Sequence, residues 1–297
     1  MRPSAKSPTP FVPFGVNMKD KRPAGGPSRF HSVPDTSTRL SLNERKYLHS
    51  LSQKKIRHAE RKFLLEGWRA LREALNSPSA IEMVVVQPRY LLDPDYQKII
   101  SEIRARRIPL KEGSELEFQK IADTVHSQGV VALVRQQEHR LDEPAFKRGS
   151  LLLALDAVAD PGNLGTVLRS AAWFGVDGVL LGKGSVELYN EKVVRSTVGA
   201  LFHMPVVEGV ELEQVLPSLK QEGFLIVAAS GAAPTVYTEM PVRSKIVIVL
   251  GSEAHGVGKG ILKEAEMVVK IPRYGNAESL NLGVACGILL AYIRGNK

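Results

Sequence analysis

Three short polar segments in the C-terminal half of the sequence carry residue types that can do chemistry. They are Asp160–Arg169 (DPGNLGTVLR), Leu250–Gly256 (LGSEAHG), and Ile271–Arg273 (IPR) followed by Glu278–Asn281 (ESLN). Each lies where a predicted strand ends, and α/β proteins build their ligand sites at the carboxyl ends of strands. Amides, one arginine and one glutamate suit the positioning of a substrate better than nucleophilic attack. We therefore predict one site assembled from all three segments.

The glycines and serines of these segments do not complete the familiar loop motifs. Gly256–Gly260 (GVGKG) follows the predicted strand Ile246–Leu250 too late and lacks the G-x-G-x-x-G pattern of a dinucleotide loop. A P-loop fails because Glu253 replaces its first glycine. No G-x-S-x-G elbow of a serine hydrolase surrounds Ser170, Ser252 or Ser279. Nucleotide-loop and serine-hydrolase chemistry are therefore excluded.

From Ser150 onward, short apolar runs alternate with segments of helical periodicity. Continuous apolar runs are typical of strands buried on both faces, which predicts an α/β domain with a mostly parallel sheet. The predicted strands are Leu151–Leu155, Val176–Leu181, Phe224–Ala229, Ile246–Leu250 and Met267–Ile271. The predicted helices are Leu164–Phe174, Glu191–Phe202, Glu211–Glu222 and Leu280–Ile293.

The region before this domain predicts a smaller α/β domain over residues 40–138. Its predicted helices are Leu65–Leu75, Asp95–Arg106 and Ser114–Ala122, and its predicted strands are Ile81–Val86 and Gly129–Val134. A charged stretch with Pro144 predicts a linker over residues 139–149, which leaves residues 150–297 as the C-terminal domain.

Residues 1–39 differ in composition from the rest of the chain. They hold seven of the 18 prolines, and seven basic against two acidic residues supply +5 of the net charge of +9. Because apolar periodicity is almost absent, we predict a disordered basic tail. A basic protein suits a polyanionic partner, and such a tail would add weak affinity for RNA.

Cysteine and histidine usage argues against a metal site and an oxidising compartment. Cys286 is the single cysteine and lies among apolar residues, so we predict a small core side chain. The seven histidines lack the paired spacing of zinc ligands. The longest apolar run, Leu282–Ile293, is shorter than the roughly 20 residues that cross a bilayer. We expect a cytoplasmic protein with no metal and no membrane span.

Taken together, the three segments resemble the motifs of the SpoU, or TrmH, branch of the SPOUT RNA methyltransferases. The resemblance extends over Leu151–Lys297. It implies S-adenosylmethionine as cofactor, methylation of a ribose 2'-hydroxyl in ribosomal or transfer RNA, a trefoil knot in the C-terminal sheet domain, and a homodimer with its site near the subunit interface.

The resemblance also implies roles for individual residues. The matching polar positions, with predicted catalytic roles, are Asn163, Arg169, Glu253, Ser279 and Asn281. Backbone groups at Gly251, Ile271 and Leu280 match positions that hold the cofactor. From spacing, we expect Asn163 to cap a helix that begins near Leu164. Arg169 could bind the phosphate beside the target ribose or polarise its hydroxyl.

The N-terminal domain resembles the family's substrate domain, which is akin to small ribosomal kink-turn-binding proteins. Its opening, Gln53–Gly67, is a basic run before a short strand that ends in Glu-Gly. A basic run can form a face that binds phosphate groups. The candidate RNA-binding residues are Lys54, Lys55, Arg57, Arg61 and Lys62.

These observations predict 2'-O-methylation of a ribose, with 23S-type ribosomal RNA preferred because of the separate N-terminal domain. Two alternatives stay open: a tRNA ribose 2'-O-methyltransferase, and a catalytically inactive RNA-binding factor for ribosome assembly. The proton acceptor is unassigned, because an arginine such as Arg169 stays protonated and is a poor base. His203, which stands where the family often has arginine, is a candidate.

Overall fold

The computed structural model describes residues 38–121 and 127–296. The basic tail predicted for residues 1–39 lies outside the described residues except for its last two, Thr38 and Arg39. The described chain contains a four-stranded sheet in its N-terminal half and a seven-stranded sheet in its C-terminal half. Helices flank both sheets.

The N-terminal sheet is mixed. Its strands are β1 (Lys62–Glu66), β2 (Ile81–Val86), β3 (Leu110–Glu112) and β4 (Val130–Arg135). They lie in the order β1-β4-β2-β3, with β4 antiparallel to both neighbours and β3 parallel to β2. Thr38 and Leu40 hydrogen-bond to the backbone of Glu112 at the β3 edge. The last residues of the predicted tail are therefore part of this sheet.

Helices cover both faces of the N-terminal sheet. They are α1 (Leu42–Ser50), α2 (Lys54–Glu60), α3 (Trp68–Leu75), α4 (Gln97–Ala105) and α5 (Glu115–Ile121). The helix predicted for Leu65–Leu75 begins only at Trp68, because Leu65 and Glu66 belong to β1. Gly67, at φ 101°, separates the strand from the helix in a conformation that a residue with a side chain rarely adopts.

Every strand pairing in the C-terminal sheet is parallel. Its strands are β5 (Leu151–Asp156), β6 (Gly178–Gly182), β7 (Val206–Val210), β8 (Leu225–Ala229), β9 (Thr235–Val236), β10 (Ile246–Gly251) and β11 (Met267–Lys270). They lie in the order β7-β6-β5-β10-β8-β11-β9. The predicted α/β class and parallel sheet are confirmed. The sequence analysis missed β7 and β9, which lie at the two edges.

The order of the strands reverses direction between β5 and β10. From β5 the chain forms β6 and β7 on one side of that strand. It then forms β8 to β11 on the other side, with β10 next to β5. Ligands of open α/β sheets bind at such a switch point, outside the carboxyl ends of the strands. The helices of this half are α6 (Pro144–Arg148), α7 (Pro161–Trp173), α8 (Glu191–Thr197), α9 (Leu212–Gln221), α10 (Lys259–Glu264) and α11 (Leu282–Gly295).

One apolar cluster runs through both halves of the described chain. It includes Phe63 and Ile100 from the N-terminal half and Leu153 and Cys286 from the C-terminal half. Burial raises the pKa of the Cys286 thiol to about 12, as expected for the predicted core side chain. Phe146, within the predicted linker, is also buried. No helix in the described part of the chain is long and apolar enough to span a membrane.

A buried ion pair joins the two halves. The guanidinium of Arg57 on α2 donates to Oε1 of Glu187, which precedes α8, with an Nε–Oε1 distance of 2.7 Å. The same guanidinium donates to the carbonyl of Leu51 at 2.8 Å. The Arg57 side chain is 3% exposed and that of Glu187 is 9% exposed. Lys54 also approaches Glu187, at 3.7 Å, but its side chain is 70% exposed.

Arg57→Ala is expected to lower the free energy of unfolding by about 3 kcal/mol, because it leaves a buried carboxylate without its main partner. Lys54→Ala removes an exposed partner of the same carboxylate and is expected to cost at most about 1 kcal/mol. Denaturant unfolding of both variants measures the difference. Equal losses would show that the Arg57–Glu187 pair does not hold the halves together.

Candidate active site

The structure brings the three polar segments together through a chain of side-chain hydrogen bonds. Nδ2 of Asn281 donates to Oδ1 of Asn163 at 2.8 Å. Nδ2 of Asn163 in turn donates to Oε1 of Glu253. These three residues are distant in sequence, yet each contacts the next. We call them the Glu253–Asn163–Asn281 chain.

The two ends of this chain fix the orientation of both amides. Oδ1 of Asn281 accepts from the backbone N–H groups of Gly283 (2.9 Å) and Val284 (3.3 Å) at the start of α11. Since those groups only donate, the Nδ2 of Asn281 must face Asn163. At the other end the carboxylate of Glu253 accepts, so Asn163 must present its Nδ2 there. The groups at the two ends therefore determine which atom of each amide donates and which accepts along the chain.

The first segment differs from its predicted geometry. The N-cap of α7 is Asp160, whose side chain accepts from the backbone N–H of Asn163 at 2.8 Å, and Pro161 takes the first helical position. The prediction that Asn163 caps a helix beginning near Leu164 was wrong, because Asp-Pro is the stronger start signal. Asn163 lies in the first turn of α7, and this frees its side-chain amide for Glu253 and Asn281.

The second segment forms a tight loop at the end of β10. Ser252 and Gly256 form an isolated bridge, and Oγ of Ser252 accepts from the backbone N–H of His255 at 3.2 Å. A side chain at Gly251 would collide with the backbone of Gly256, which explains the glycine at this position. The loop is tied to β5 because the Asp156 carboxylate accepts from the N–H of Gly258 at 2.8 Å. Sequence reasoning missed Asp156 and Asp160.

The third segment presents its backbone to solvent. Residues 272–280 donate no backbone hydrogen bond to any other described residue. Ile271 is half-buried and Leu280 is exposed, and Ser279 makes no hydrogen bond to a described residue. Unpaired backbone groups beside a buried strand end can bind the polar edges of an elongated ligand. Of the three predicted cofactor positions, Gly251 ends β10 and Ile271 follows β11 at this carboxyl edge of the sheet, and Leu280 directly precedes Asn281.

Arg169 lies on the exposed side of α7. Its side chain makes no ion pair or hydrogen bond to any described residue, so its guanidinium is available to an anion. Thr166 and Trp173 are exposed on the same helix, and Trp173 is 85% exposed. The helical spacing of these three residues places them along one face. Among the described residues, no group of His, Cys, Asp or Glu could hold a metal ion.

The predicted RNA-binding residues do not form one basic face. Arg57 is buried against Glu187, which removes it from a phosphate-binding surface and gives it a structural role. Arg61 pairs with Glu138 and Lys62 with Glu82. Burial acts to lower the pKa of Lys62, but Glu82 and Tyr47 more than offset it and raise the pKa. Lys54 and Lys55 remain exposed.

His203, the candidate proton acceptor, is engaged elsewhere. Its Nε2 lies 2.9 Å from Oε2 of Glu73 on α3. This places the imidazole at the contact between the two halves of the chain and pairs it with a carboxylate there. The structure therefore gives no support to His203 as the base.

Known proteins share both the sequence and the fold of this chain. Residues 150–291 match the model of the SpoU rRNA methylase family, and residues 43–132 match that of the MRM3-like substrate binding domain. The 23S rRNA (guanosine(2553)-2'-O)-methyltransferase RlmP of Bacillus subtilis is 35% identical over 245 residues, which are 82% of this chain and 93% of RlmP. The chain belongs to the SpoU rRNA methylase family. The predicted family is confirmed.

Solved structures of SpoU-type enzymes support the same conclusion. An RNA 2'-O ribose methyltransferase superimposes with a TM-score of 0.73 at 32% identity, covering 86% of this chain and 96% of that protein. An AdoMet-bound rRNA methyltransferase from Sinorhizobium meliloti gives 0.74 at 29% identity, with the same coverage. The protein is thus a SpoU-family RNA methyltransferase, and the site described above lies within its methylase region.

Asn281 allows helix capping to be separated from the hydrogen bond to Asn163. Asn281→Ala is expected to cost about 1 kcal/mol of stability through loss of the cap of α11, and to impair methyl transfer. Asn281→Asp keeps an acceptor for the N–H groups of Gly283 and Val284 but cannot donate to Asn163. It should therefore keep the stability and still lose methyl transfer.

Thermal unfolding and a methyl-transfer assay on the same preparations measure the two effects. If the aspartate variant transferred methyl groups at the original rate, the Glu253–Asn163–Asn281 chain would be irrelevant to activity. If it unfolded as easily as the alanine variant, capping would not be the structural role of Asn281.

Proposed function

We propose that this protein transfers a methyl group from S-adenosylmethionine to a ribose 2'-hydroxyl of 23S-type ribosomal RNA. The observation that carries the proposal is the Glu253–Asn163–Asn281 chain, which assembles three segments at the switch point of the sheet beside an unpaired Arg169. The choice of ribosomal RNA is supported by the 35% identity to the Bacillus subtilis 23S rRNA enzyme.

S-adenosylmethionine fits the carboxyl edge of the sheet. The exposed residues 273–280 donate no backbone hydrogen bond to a described residue, so their N–H groups can bind its adenine and amino-acid parts. Gly251, Ile271 and Leu280 would hold it there, and the bound cofactor supplies an electrophilic methyl group on a sulfonium. The AdoMet-bound rRNA methyltransferase from Sinorhizobium meliloti supports the choice of cofactor.

The residues of this chain contribute mainly by positioning. In-line attack on a methyl group needs close and aligned reacting atoms, which an oriented site provides. Asn163, held at both ends of its amide, fixes the first turn of α7 against the β10 loop. Arg169 lies further along α7, where its planar guanidinium suits the phosphate beside the target ribose. Ser279 and Glu253 complete the proposed catalytic set.

The two matched regions support a division of labour. We assign residues 40–138 to RNA delivery, residues 139–149 to a linker and residues 150–297 to methyl transfer, in line with the matches over residues 43–132 and 150–291. We also propose that the C-terminal segment is threaded as a trefoil knot. The packing of α11 on α7 and the reach of Asn281 to Asn163 support that path. We also propose a cytoplasmic location, in line with the bacterial 23S rRNA enzyme to which the chain is similar.

Arg169→Ala is expected to reduce methyl transfer about 100-fold or more, the size of effect seen when one charge-stabilising donor is lost. The measurement is transfer of radiolabelled methyl groups to large-subunit ribosomal RNA. Arg148→Ala is the control, because Arg148 is also exposed but precedes β5, at the opposite edge of the sheet. Unchanged transfer by the Arg169 variant would overturn the assignment.

Two further measurements separate the alternatives. Calorimetry with S-adenosylmethionine should show binding, whereas an inactive assembly factor of the same fold would show none. Transfer RNA offered in place of ribosomal RNA should accept few methyl groups. Preferential methylation of transfer RNA would favour the tRNA enzyme instead.

We propose a homodimer that buries the exposed face of α7. Trp173 is 85% exposed and Val284 on the neighbouring α11 is 49% exposed, and large aromatic side chains of this kind are enriched in interfaces. Arg169 lies one helical turn from Trp173, so this interface would border the site.

Trp173→Glu is expected to weaken the dimer by about 2 kcal/mol or more, the loss of a central interface residue, which is roughly a 30-fold rise in the dissociation constant. Sedimentation equilibrium measures it. Leu92→Glu is the matched control, because Leu92 is 88% exposed in the N-terminal half. A protein that is monomeric before mutation, or a dimer indifferent to Trp173, would contradict the proposal.

A further inference from the structure

A cavity of about 310 Å³ lies between α1 and α5, and basic side chains dominate its lining. Arg45, Lys46 and His49 line it from α1, and Gln119 and Lys120 from α5. No carboxylate is among these lining residues. We call it the α1–α5 cavity. None of its lining residues is among the RNA-binding residues predicted from the sequence.

The lysine and arginine side chains of this cavity have no hydrogen-bond or ion-pair partner among the described residues, whereas other basic side chains of the same half form ion pairs. Arg45, Lys46 and Lys120 make no side-chain hydrogen bond or ion pair to any described residue. By contrast, Arg57 is paired with Glu187 and Lys62 with Glu82. Three unpaired positive charges around one cavity repel each other, and an anion placed among them would relieve that repulsion.

Nearby acidic side chains are directed to other partners. Glu44 on α1 accepts from Ser41 and lies 3.3 Å from Lys111. Glu117 on α5 accepts from the backbone and hydroxyl of Ser114, each at 2.8 Å. These contacts hold both carboxylates at the beginnings of their helices. Among the described residues, no carboxylate pairs with Lys120 or His49 near the ends of these helices.

The cavity lies on the outer layer of the N-terminal half. α1 and α5 pack on one face of the four-stranded sheet through Leu48 and Phe118. α3 and α4 pack on the other face, through Leu71 and Ile100, in the cluster that continues into the C-terminal half. The four-stranded sheet therefore separates the cavity from the apolar core that joins the two halves.

We propose that the α1–α5 cavity binds backbone phosphate groups of the substrate RNA, at a point remote from the methylated ribose. This inference rests on the proposed function. Three cations without a carboxylate suit a polyanion, and neutralised phosphates are the main source of affinity for RNA. The described lining residues are three cations, one histidine and one glutamine, and their hydrogen-bonding groups are almost all donors, which match phosphate oxygens.

The test is the triple variant Arg45→Gln, Lys46→Gln, Lys120→Gln in the full chain. Its Kd for deproteinised large-subunit ribosomal RNA should rise about ten-fold or more at 0.15 M salt. The slope of log K against log salt should become shallower by about 2 to 3, since each neutralised phosphate contributes about 0.7 to 0.9. The kcat at saturating RNA and the binding of S-adenosylmethionine should not change, because the site residues are intact.

The matched control removes the same charge from the other face of the sheet. It carries Lys98→Gln, Arg104→Gln and Arg107→Gln. These residues lie on or just after α4, are also exposed, and make no side-chain hydrogen bond or ion pair to a described residue. This variant should bind the RNA with nearly the original Kd and salt slope. Thermal unfolding of both variants shows that each remains folded.

Three results would overturn the proposal. The first is unchanged RNA binding by the triple variant, and the second is an equal loss in the control, which would indicate net charge alone. The third is tight binding of inorganic phosphate that RNA does not compete with, which would make the cavity a small-anion site. Failure of the proposed function is a different result: the unmodified protein would bind RNA through this cavity and transfer no methyl group.

Discussion

The hydrogen bonds from Asn281 to Asn163 and from Asn163 to Glu253 are the constraint on which the site depends. An asparagine amide has a donating and an accepting end, and Asn163 uses both ends for neighbours from other parts of the chain. If either neighbour is lost, the amide can rotate and the start of α7 loses its link to the β10 loop or to α11. Arg169 is carried by the same helix, so its position depends on these two bonds.

These two hydrogen bonds lie beside the carboxyl ends of the parallel strands, where ligands of such sheets bind. The carboxyl ends of β5 and β10 are neighbours, and the loops that leave them diverge because the strand order reverses there. The Glu253–Asn163–Asn281 chain links the loop after β10 to the helix after β5 and to the start of α11, and the exposed residues 273–280 lie directly before Asn281. The protein thus separates two tasks. Side chains fix the geometry of the loops, and backbone groups remain available for a ligand.

Sequence reasoning found the elements of the site because strand and helix patterns are local. The buried strands Leu151–Asp156 and Ile246–Gly251 read as apolar runs and were predicted nearly to their ends. The mutual contacts of Glu253, Asn163 and Asn281 are not local. No periodicity indicates which amide faces which carboxylate across 90 or 118 residues. The start of α7 was missed although Asp160-Pro161 is a readable cap signal.

The basic residues show even more clearly that the sequence alone does not reveal which distant side chains contact each other. Lys54–Lys62 reads as one charged run, yet folding turns Arg57 inward to Glu187 and pairs Lys62 with Glu82. Arg45, Lys46 and Lys120 are unremarkable in sequence, and only the packing of α1 against α5 collects them around one cavity. A charge in sequence becomes available to a partner only if the fold supplies no counter-charge. Both halves share one apolar cluster and the Arg57–Glu187 pair, which connect the half that holds this cavity to the half that holds Arg169. If the proposed RNA contacts are made at both places, the RNA must span them, and its shape then contributes to the choice of the target ribose.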